Sequence, residues 1–227
     1  KWRFTCSYGM SNRPLFEVKV LKQESLSDEV RLLWLPKLAA FKAGQMISIA
    51  ISPDSPQRLY SICSGENDSH LAILYDIKKD GFLTPKLDGL SKEDKLWISS
   101  PFGSFTNFTK GSWLISTGTG LAPFYSLFKT DHNIIGRLIH GGREEHSFFF
   151  REELMKTLKE RYTQCSSRGI SRDAFFGRVT DWLQKAELAD PGTKYYLCGS
   201  AEMVVDTRDV LISRGVDYDN IISEIYF

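Results

Sequence analysis

Arg58-Leu59-Tyr60-Ser61-Ile62 alternates a cation, an aromatic ring and a hydroxyl with two aliphatic side chains. An arginine can clamp a diphosphate, a tyrosine ring can stack on a flat heterocycle, and a serine hydroxyl can bond to a ring nitrogen. Taken alone, the segment reads more simply as an exposed strand with a surface arginine and a half-buried tyrosine. A second stretch, Trp113 to Phe124, runs WLISTGTGLAPF. Its apolar first half suits a buried parallel strand, and Gly118 and Gly120 let the backbone turn and let another molecule approach the main chain. Pro123 suits the first turn of a following helix. Such a turn offers N–H groups and the positive end of a helix dipole, a setting for a pyrophosphate, although an ordinary strand-to-helix connection would look similar. A third stretch, Asp80-Gly81-Phe82-Leu83-Thr84-Pro85, combines a glycine turn with Thr84 as an expected N-cap and Pro85 as the first helical residue. It reads either as another anion-facing turn or as a capped surface helix.

The elements that must carry these residues differ between the two halves of the chain. Up to about residue 110, β-forming runs at Leu15–Leu21, Val30–Leu35, Met46–Ile51, Leu59–Cys63, Leu71–Ile77 and Lys95–Ser99 are separated by turn residues. That spacing predicts a small six-stranded antiparallel β-barrel. Beyond it, apolar runs at Trp113–Thr117, Ile134–His140, Tyr162–Ser166, Tyr195–Cys198 and Ile221–Ile225 alternate with helical patterns over about Ser147–Arg161 and Ala201–Arg214. The alternation predicts right-handed βαβ units and a five-stranded parallel sheet. We therefore expect two domains, residues 1–109 and 110–227. In an open parallel sheet, ligands bind beyond the carboxyl ends of the strands, which selects Thr117–Gly120, His140–Arg143, Ser166–Arg168, Cys198–Met203 and the end of the chain. Arg143, Arg168 and Arg178 fall near this rim and could converge on a phosphate, though each singly reads as a solvated charge.

Composition narrows the function classes. With 227 residues, 42% hydrophobic, 25% charged and a net charge of +1, the chain is an ordinary globular protein without the basic face that bulk nucleic-acid binding needs. No apolar run approaches the roughly 20 residues of a membrane helix, and the first residues lack the apolar core of a signal peptide, so a cytoplasmic location is expected. Cys6, Cys63, Cys165 and Cys198 are far apart, and His70, His132, His140 and His146 lack metal-site spacing. No metal or iron–sulfur centre is expected, so any redox centre is a bound organic cofactor.

The pieces together resemble the ferredoxin–NADP reductase family, particularly its compact bacterial branch. The resemblance rests on F-x-A-G-Q at Phe41–Gln45, R-x-Y-S at Arg58–Ser61, D-G-x-L-T-P at Asp80–Pro85, P-F-G at Pro101–Gly103, G-T-G-L-A-P at Gly118–Pro123, G-R-V at Gly177–Val179, C-G-x-x-x-M-V at Cys198–Val204 and E-x-Y-F at Glu224–Phe227. It covers nearly the whole chain, in the family's order. It implies an FAD-binding barrel followed by an NADP-binding α/β domain of Rossmann type. FAD would contact Arg58, Leu59, Tyr60, Ser61, Gly81, Leu83, Thr84 and Thr119, with Tyr226 stacked on the flavin and Phe227 near the adenine. NADP(H) would lie against Gly118, Thr119, Gly120, Ser167, Cys198, Gly199 and Met203, with Arg143, Arg168 and Arg178 reading its 2′-phosphate. Ser61, Cys198, Glu224 and Tyr226 would serve the chemistry, a hydride transfer between nicotinamide and flavin followed by single-electron exchange with ferredoxin or flavodoxin, by a monomer. The alternatives are the reductase component of an oxygenase, a free-flavin reductase, or a flavin-binding sensor without turnover.

Overall fold

The computed structural model describes residues 13–169 and 173–226. The chain divides into two compact units, Lys1–Thr106 with Ala122–Thr130, and Asn107–Leu121 with Asp131–Phe227. Among the described residues the first unit has seven strands: β1 (Phe16–Lys19), β2 (Lys22–Ser25), β3 (Val30–Pro36), β4 (Met46–Ala50), β5 (Arg58–Ser61), β6 (His70–Asp76) and β7 (Lys95–Ile98). They form two antiparallel sheets, ordered β1-β7-β4-β5 and β2-β3-β6. A bridge between Ile62 and Ile73 links them, and Leu33, Leu35, Ile47, Ile49, Leu71 and Leu96 fill the space between as one core.

The six expected strands are all there, and β2 is added. Lys22-Gln23-Glu24-Ser25 lacks the apolar alternation that marks a half-buried strand, so local sequence conceals it. It is held by its pairing with β3 and by Gln23, whose amide donates to the Asp88 and Leu90 carbonyls while accepting from the Tyr75 hydroxyl at 3.0 Å. Thr84 departs from the expected cap. It is the first residue of a five-residue helix, α1 (Thr84–Asp88), with Leu83 before it, and its hydroxyl accepts from the Lys78 N–H at 2.8 Å. The hydroxyl closes the Lys78–Gly81 loop instead of capping the helix.

The helix after the glycine turn, α2 (Ala122–Asp131), groups with the first unit along most of its length. Polar bonds explain why: Ser126 Oγ donates to the Ser64 carbonyl at 2.6 Å, and Thr130 Oγ1 accepts from the Glu66 N–H at 3.0 Å. Phe124 packs against Phe105, their ring centres 6.0 Å apart.

In the second unit β8 (Ser112–Thr117), β9 (Ile135–Gly142), β10 (Tyr162–Ser166), β11 (Phe175–Phe176), β12 (Tyr195–Ser200) and β13 (Ile221–Tyr226) form one parallel sheet, ordered β11-β10-β9-β8-β12-β13. The sheet is six-stranded because the two-residue β11, too short to show a period, joins β10 at Cys165 and Ser166. Its core is built from Trp113, Ile115, Ile139, Leu183, Leu197, Val204 and Leu211, between the sheet and helices α4 (Val179–Lys185) and α5 (Ala201–Ser213). The helix expected over residues 147–161 is shorter, α3 (Arg151–Leu158). Phe150 adopts a left-handed φ of 57°, which breaks the helical path before Arg151, while Phe148 and Phe149 are buried outside it. No helix among the described residues is long and apolar enough to cross a membrane.

Candidate functional site

In the first unit, the candidate residues lie on β5, the end strand of its sheet. Antiparallel pairing sets Ser61 opposite Met46, Tyr60 opposite Ile47 and Arg58 opposite Ile49. The exposure changes along these four residues: Arg58 and Leu59 are exposed, Tyr60 is half-buried and Ser61 is buried. Tyr60 packs its ring on the core and meets Tyr75 edge-on at 6.2 Å. Burial pushes its phenol up to about 12, with the Arg58 cation pulling the other way. The strand therefore offers one fixed ring, one solvent-facing guanidinium and one shielded hydroxyl, and its edge away from β4 is the end of its sheet. Arg58 has its Nη1 on the Gln57 carbonyl at 3.0 Å, a neighbour contact that leaves the fork at the surface. Gly81 lies in the loop before α1, where a Cβ would come 2.9 Å from the Lys78 carbonyl oxygen, and Leu83 is buried in the core.

In the second unit, β9, β10 and β11 lie on one side of β8, and β12 and β13 lie on the other. The chain thus reverses its direction of travel across the sheet between β8 and β12. In open parallel sheets such a reversal is where ligands bind, beyond the carboxyl ends of the two strands. Thr117 and Cys198 end near it, since Cys198 pairs with Ser116. Glycine is present at this switch point for reasons of space. A Cβ on Gly120 would lie 2.7 Å from the Cys198 carbonyl carbon and 2.9 Å from the Gly199 Cα. One on Gly199 would lie 2.8 Å from Thr117 Oγ1. Gly118 needs glycine for a different reason, its left-handed φ of 55° at the start of the 3-10 turn Gly118–Leu121. Thr119 sits between these glycines in that turn, and α2 continues from it.

Cys198 is fully buried and faces Glu224 across the β12–β13 ladder. Burial pushes its thiol well above the ordinary range, the Glu224 carboxylate adds to the shift, and the Tyr226 hydroxyl opposes it. Tyr226 pairs with Ser200, so the half-buried ring sits at the end of β12 beside the glycine turn's neighbour, Gly199. Met203 stands in the first turn of α5, its N–H donated to the N-capping Ser200 hydroxyl at 3.3 Å. Phe227 lies outside the described residues.

The arginines are placed by backbone bonds. The Arg168 N–H donates to the Arg143 carbonyl at 2.9 Å, the Ser167 N–H to Gly142 at 3.0 Å and the Ser166 hydroxyl to the Arg143 carbonyl at 3.1 Å. This stitches the loops after β9 and β10 together and brings Arg143, Ser167 and Arg168 side by side, all exposed. Arg178 follows β11, is tied to the same loop through the Gly177 N–H on the Ser166 carbonyl at 2.9 Å, and reaches Glu202 at 3.5 Å. An exposed pair of that length contributes little, so the guanidinium remains available to an anion. The histidine at the end of β9 was not distinguished by spacing. His140 is completely buried below the glycine turn's strand, paired with Ser116, and the one local signal of its position is the pair of glycines that follows it.

The oxidoreductase NAD-binding domain family matches residues 114–209. A ferredoxin–NADP reductase of Pseudomonas aeruginosa is 30% identical over 207 residues, covering 78% of this chain and 80% of that protein. A flavohemoprotein of Bacillus subtilis is 27% identical and covers 91% of this chain, which spans only 58% of that longer protein. Among solved structures, a ferredoxin NADP+ reductase from Neisseria gonorrhoeae with bound FAD and NADP superposes with a TM-score of 0.85 over 94% of this chain and 99% of that one, at 21% identity. With an antiparallel strand unit, a parallel sheet with a glycine-lined switch point, and these relatives, the chain belongs to the ferredoxin–NADP reductase family and is an oxidoreductase that uses FAD and a nicotinamide nucleotide.

Proposed function

We propose that this protein is a ferredoxin–NADP+ reductase, exchanging a hydride with NADP(H) and single electrons with ferredoxin or flavodoxin. The observation that carries this reading is the glycine-rich β8–β12 switch point, with Arg143, Ser167 and Arg168 stitched together at the same end of the sheet. Glycine permits the close approach a pyrophosphate requires, and planar guanidinium forks suit a 2′-phosphate, which favours NADP over NAD.

The first unit's strand fits a flavin. Half-buried Tyr60 gives a ring already immobilised by Tyr75, Arg58 gives a surface fork for a diphosphate, and buried Ser61 gives a hydroxyl for a ring nitrogen. Gly81, Leu83 and Thr84 would support the diphosphate from the loop before α1. When bound, FAD supplies the conversion of a two-electron hydride into single electrons, and the protein supplies placement and electrostatics. Cys198 packs the floor of the nicotinamide site, and Glu224, opposite it on β13, relays a proton there. Tyr226 covers that site until nucleotide displaces it.

The discriminating experiment adds ferredoxin or flavodoxin to the FAD-loaded protein and follows cytochrome c reduction with NADPH and NADH in parallel. The reading expects carrier-dependent reduction, faster with NADPH. Rates unaffected by either carrier, with free flavin or an oxygenase restoring activity, would assign the chain to another reductase of this family.

A further inference from the structure

Arg151 stands apart from the arginines that the proposed reading gives to the 2′-phosphate. Arg143, Arg168 and Arg178 are exposed, whereas the Arg151 side chain keeps only 22% of its surface and holds two carboxylates at once. Its Nη1 donates to Glu145 Oε1 at 2.6 Å and its Nη2 to Asp173 Oδ2 at 3.4 Å. Among the described residues the buried Nε has no partner, so the two terminal nitrogens make the polar contacts of this side chain.

The two carboxylates belong to different connections. Glu145 opens the 3-10 turn Glu145–Ser147 in the path from β9 to α3, and Asp173 lies just before β11. These connections place the arginines. The Ser147 hydroxyl accepts from the Arg143 and Glu144 N–H groups at 3.3 Å each, so a shift of the turn at Glu145 reaches Arg143 directly. Phe148 and Phe149 are buried beyond the turn, and a Cβ on Gly142 would lie 2.7 Å from the Ser147 Cβ, so the turn sits tightly against the end of β9. On the other side, Asp173 leads into β11, which pairs with β10 at Cys165 and Ser166. The Ser166 hydroxyl and the Arg168 N–H both donate to the Arg143 carbonyl. Arg151 closes these contacts into a ring.

We infer that Arg151 is a positioning residue for 2′-phosphate recognition, clamping the β9 and β11 connections so that Arg143 and Arg168 stand at a fixed separation. The inference rests on the reading that these arginines face the 2′-phosphate. Planar guanidinium forks reward geometry, and a binding constellation needs its groups held within about 0.5 Å. Both carboxylates are exposed, at 71% and 62%, so each ion pair adds little to stability, and what the two supply together is the closure of the ring. A clamp and a simple charge effect differ in sign. By charge alone, removing Glu145 or Asp173 favours an anion nearby. Where the carboxylate holds the connection in place, removing it weakens the anion's binding.

Titrating the FAD-loaded protein with NADP+ and NAD+ in parallel tests this. Arg151→Met keeps the packing of the stem but ends both pairs. It is expected to weaken NADP+ about tenfold, the scale of two partly shielded ion pairs, with NAD+ within about twofold of wild type. Glu145→Ala is expected to weaken NADP+ about threefold, opposite in sign to the charge effect. Bound FAD should be unchanged in both. Wild-type NADP+ affinity in Arg151→Met, equal losses for NADP+ and NAD+, or unchanged or tighter NADP+ binding in Glu145→Ala would overturn the inference. If Arg151→Met does not fold, Glu145→Ala decides it, since Glu145 is exposed. Arg168→Ala serves as reference: weakened NADP+ binding in Arg168→Ala alone refutes only the clamp, whereas NADP+ binding untouched by Arg168→Ala refutes the arginine reading itself.

Discussion

Gly120→Ala is expected to reduce nucleotide affinity by about a hundredfold while leaving bound FAD in place, because misplacing a binding group by about 1 Å has effects of that order. The added methyl group would meet the Cys198 carbonyl carbon at 2.7 Å and the Gly199 Cα at 2.9 Å. Both are backbone atoms of β12, which is paired on its two sides with β8 and β13 and has little room to shift. Either the 3-10 turn moves away from β12 or the β8–β12 ladder opens, and each displaces the turn's N–H groups from where they now stand. Overpacking of this kind costs about 1–3 kcal/mol, so a lower Tm should accompany the loss of binding. Nucleotide titration, flavin content and a thermal melt on the same sample check all three outcomes. Unchanged affinity and Tm would show that the turn and β12 are not held as described.

Tyr226→Ser is expected to have the opposite sign, tightening nucleotide binding by about ten- to a hundredfold. Half-buried Tyr226 pairs with Ser200 at the end of β12, and in the proposed reading its ring occupies the place the nicotinamide takes. A ligand that must first displace it binds with an affinity lowered by the fraction of time the ring is absent. Freeing about half of an aromatic side chain from its contacts corresponds to roughly 1–2 kcal/mol, which sets the size of the effect. NADH should gain more than NADPH, since the 2′-phosphate contacts already help NADPH to overcome the obstacle, so the preference narrows. Dissociation constants for NADP+ and NAD+ measured against wild type provide the comparison. Weaker binding of both would mean that Tyr226 supports the nucleotide instead of competing with it.

The parts of the fold that can be read from sequence are those where residue type and neighbour spacing coincide. The β-rich runs of the first unit and the glycine turn at residues 118–120 announce themselves because alternation and glycine have local causes. What stays hidden depends on distant partners. β2 is polar and exists through β3 and Gln23, β11 is two residues long, and Thr84 forgoes its capping role because Lys78, six residues earlier, presents an N–H to it. The break before α3 is similar: Phe150 has no sequence marker for a left-handed φ, yet Phe148 and Phe149 are drawn into the core around His140. Grouping of α2 with the first unit is likewise unreadable locally, since it is fixed by Ser64 and Glu66, more than a helix length away in sequence. The candidate site is clearer than its support. Arg58, Tyr60, Gly118 and Gly120 stand in short motifs, whereas the buried His140–Tyr162–Gln164 hydrogen-bonded group is assembled from two strands.

The central claim is that the residues of the two units serve one redox reaction, and anaerobic reduction of the FAD-loaded protein measures it most directly. Stoichiometric NADPH is expected to bleach the yellow flavin absorbance rapidly, with NADH needing a large excess. Protein that holds FAD and binds NADP+ yet remains yellow with both nucleotides would contradict the account and leave a flavin-binding protein without turnover.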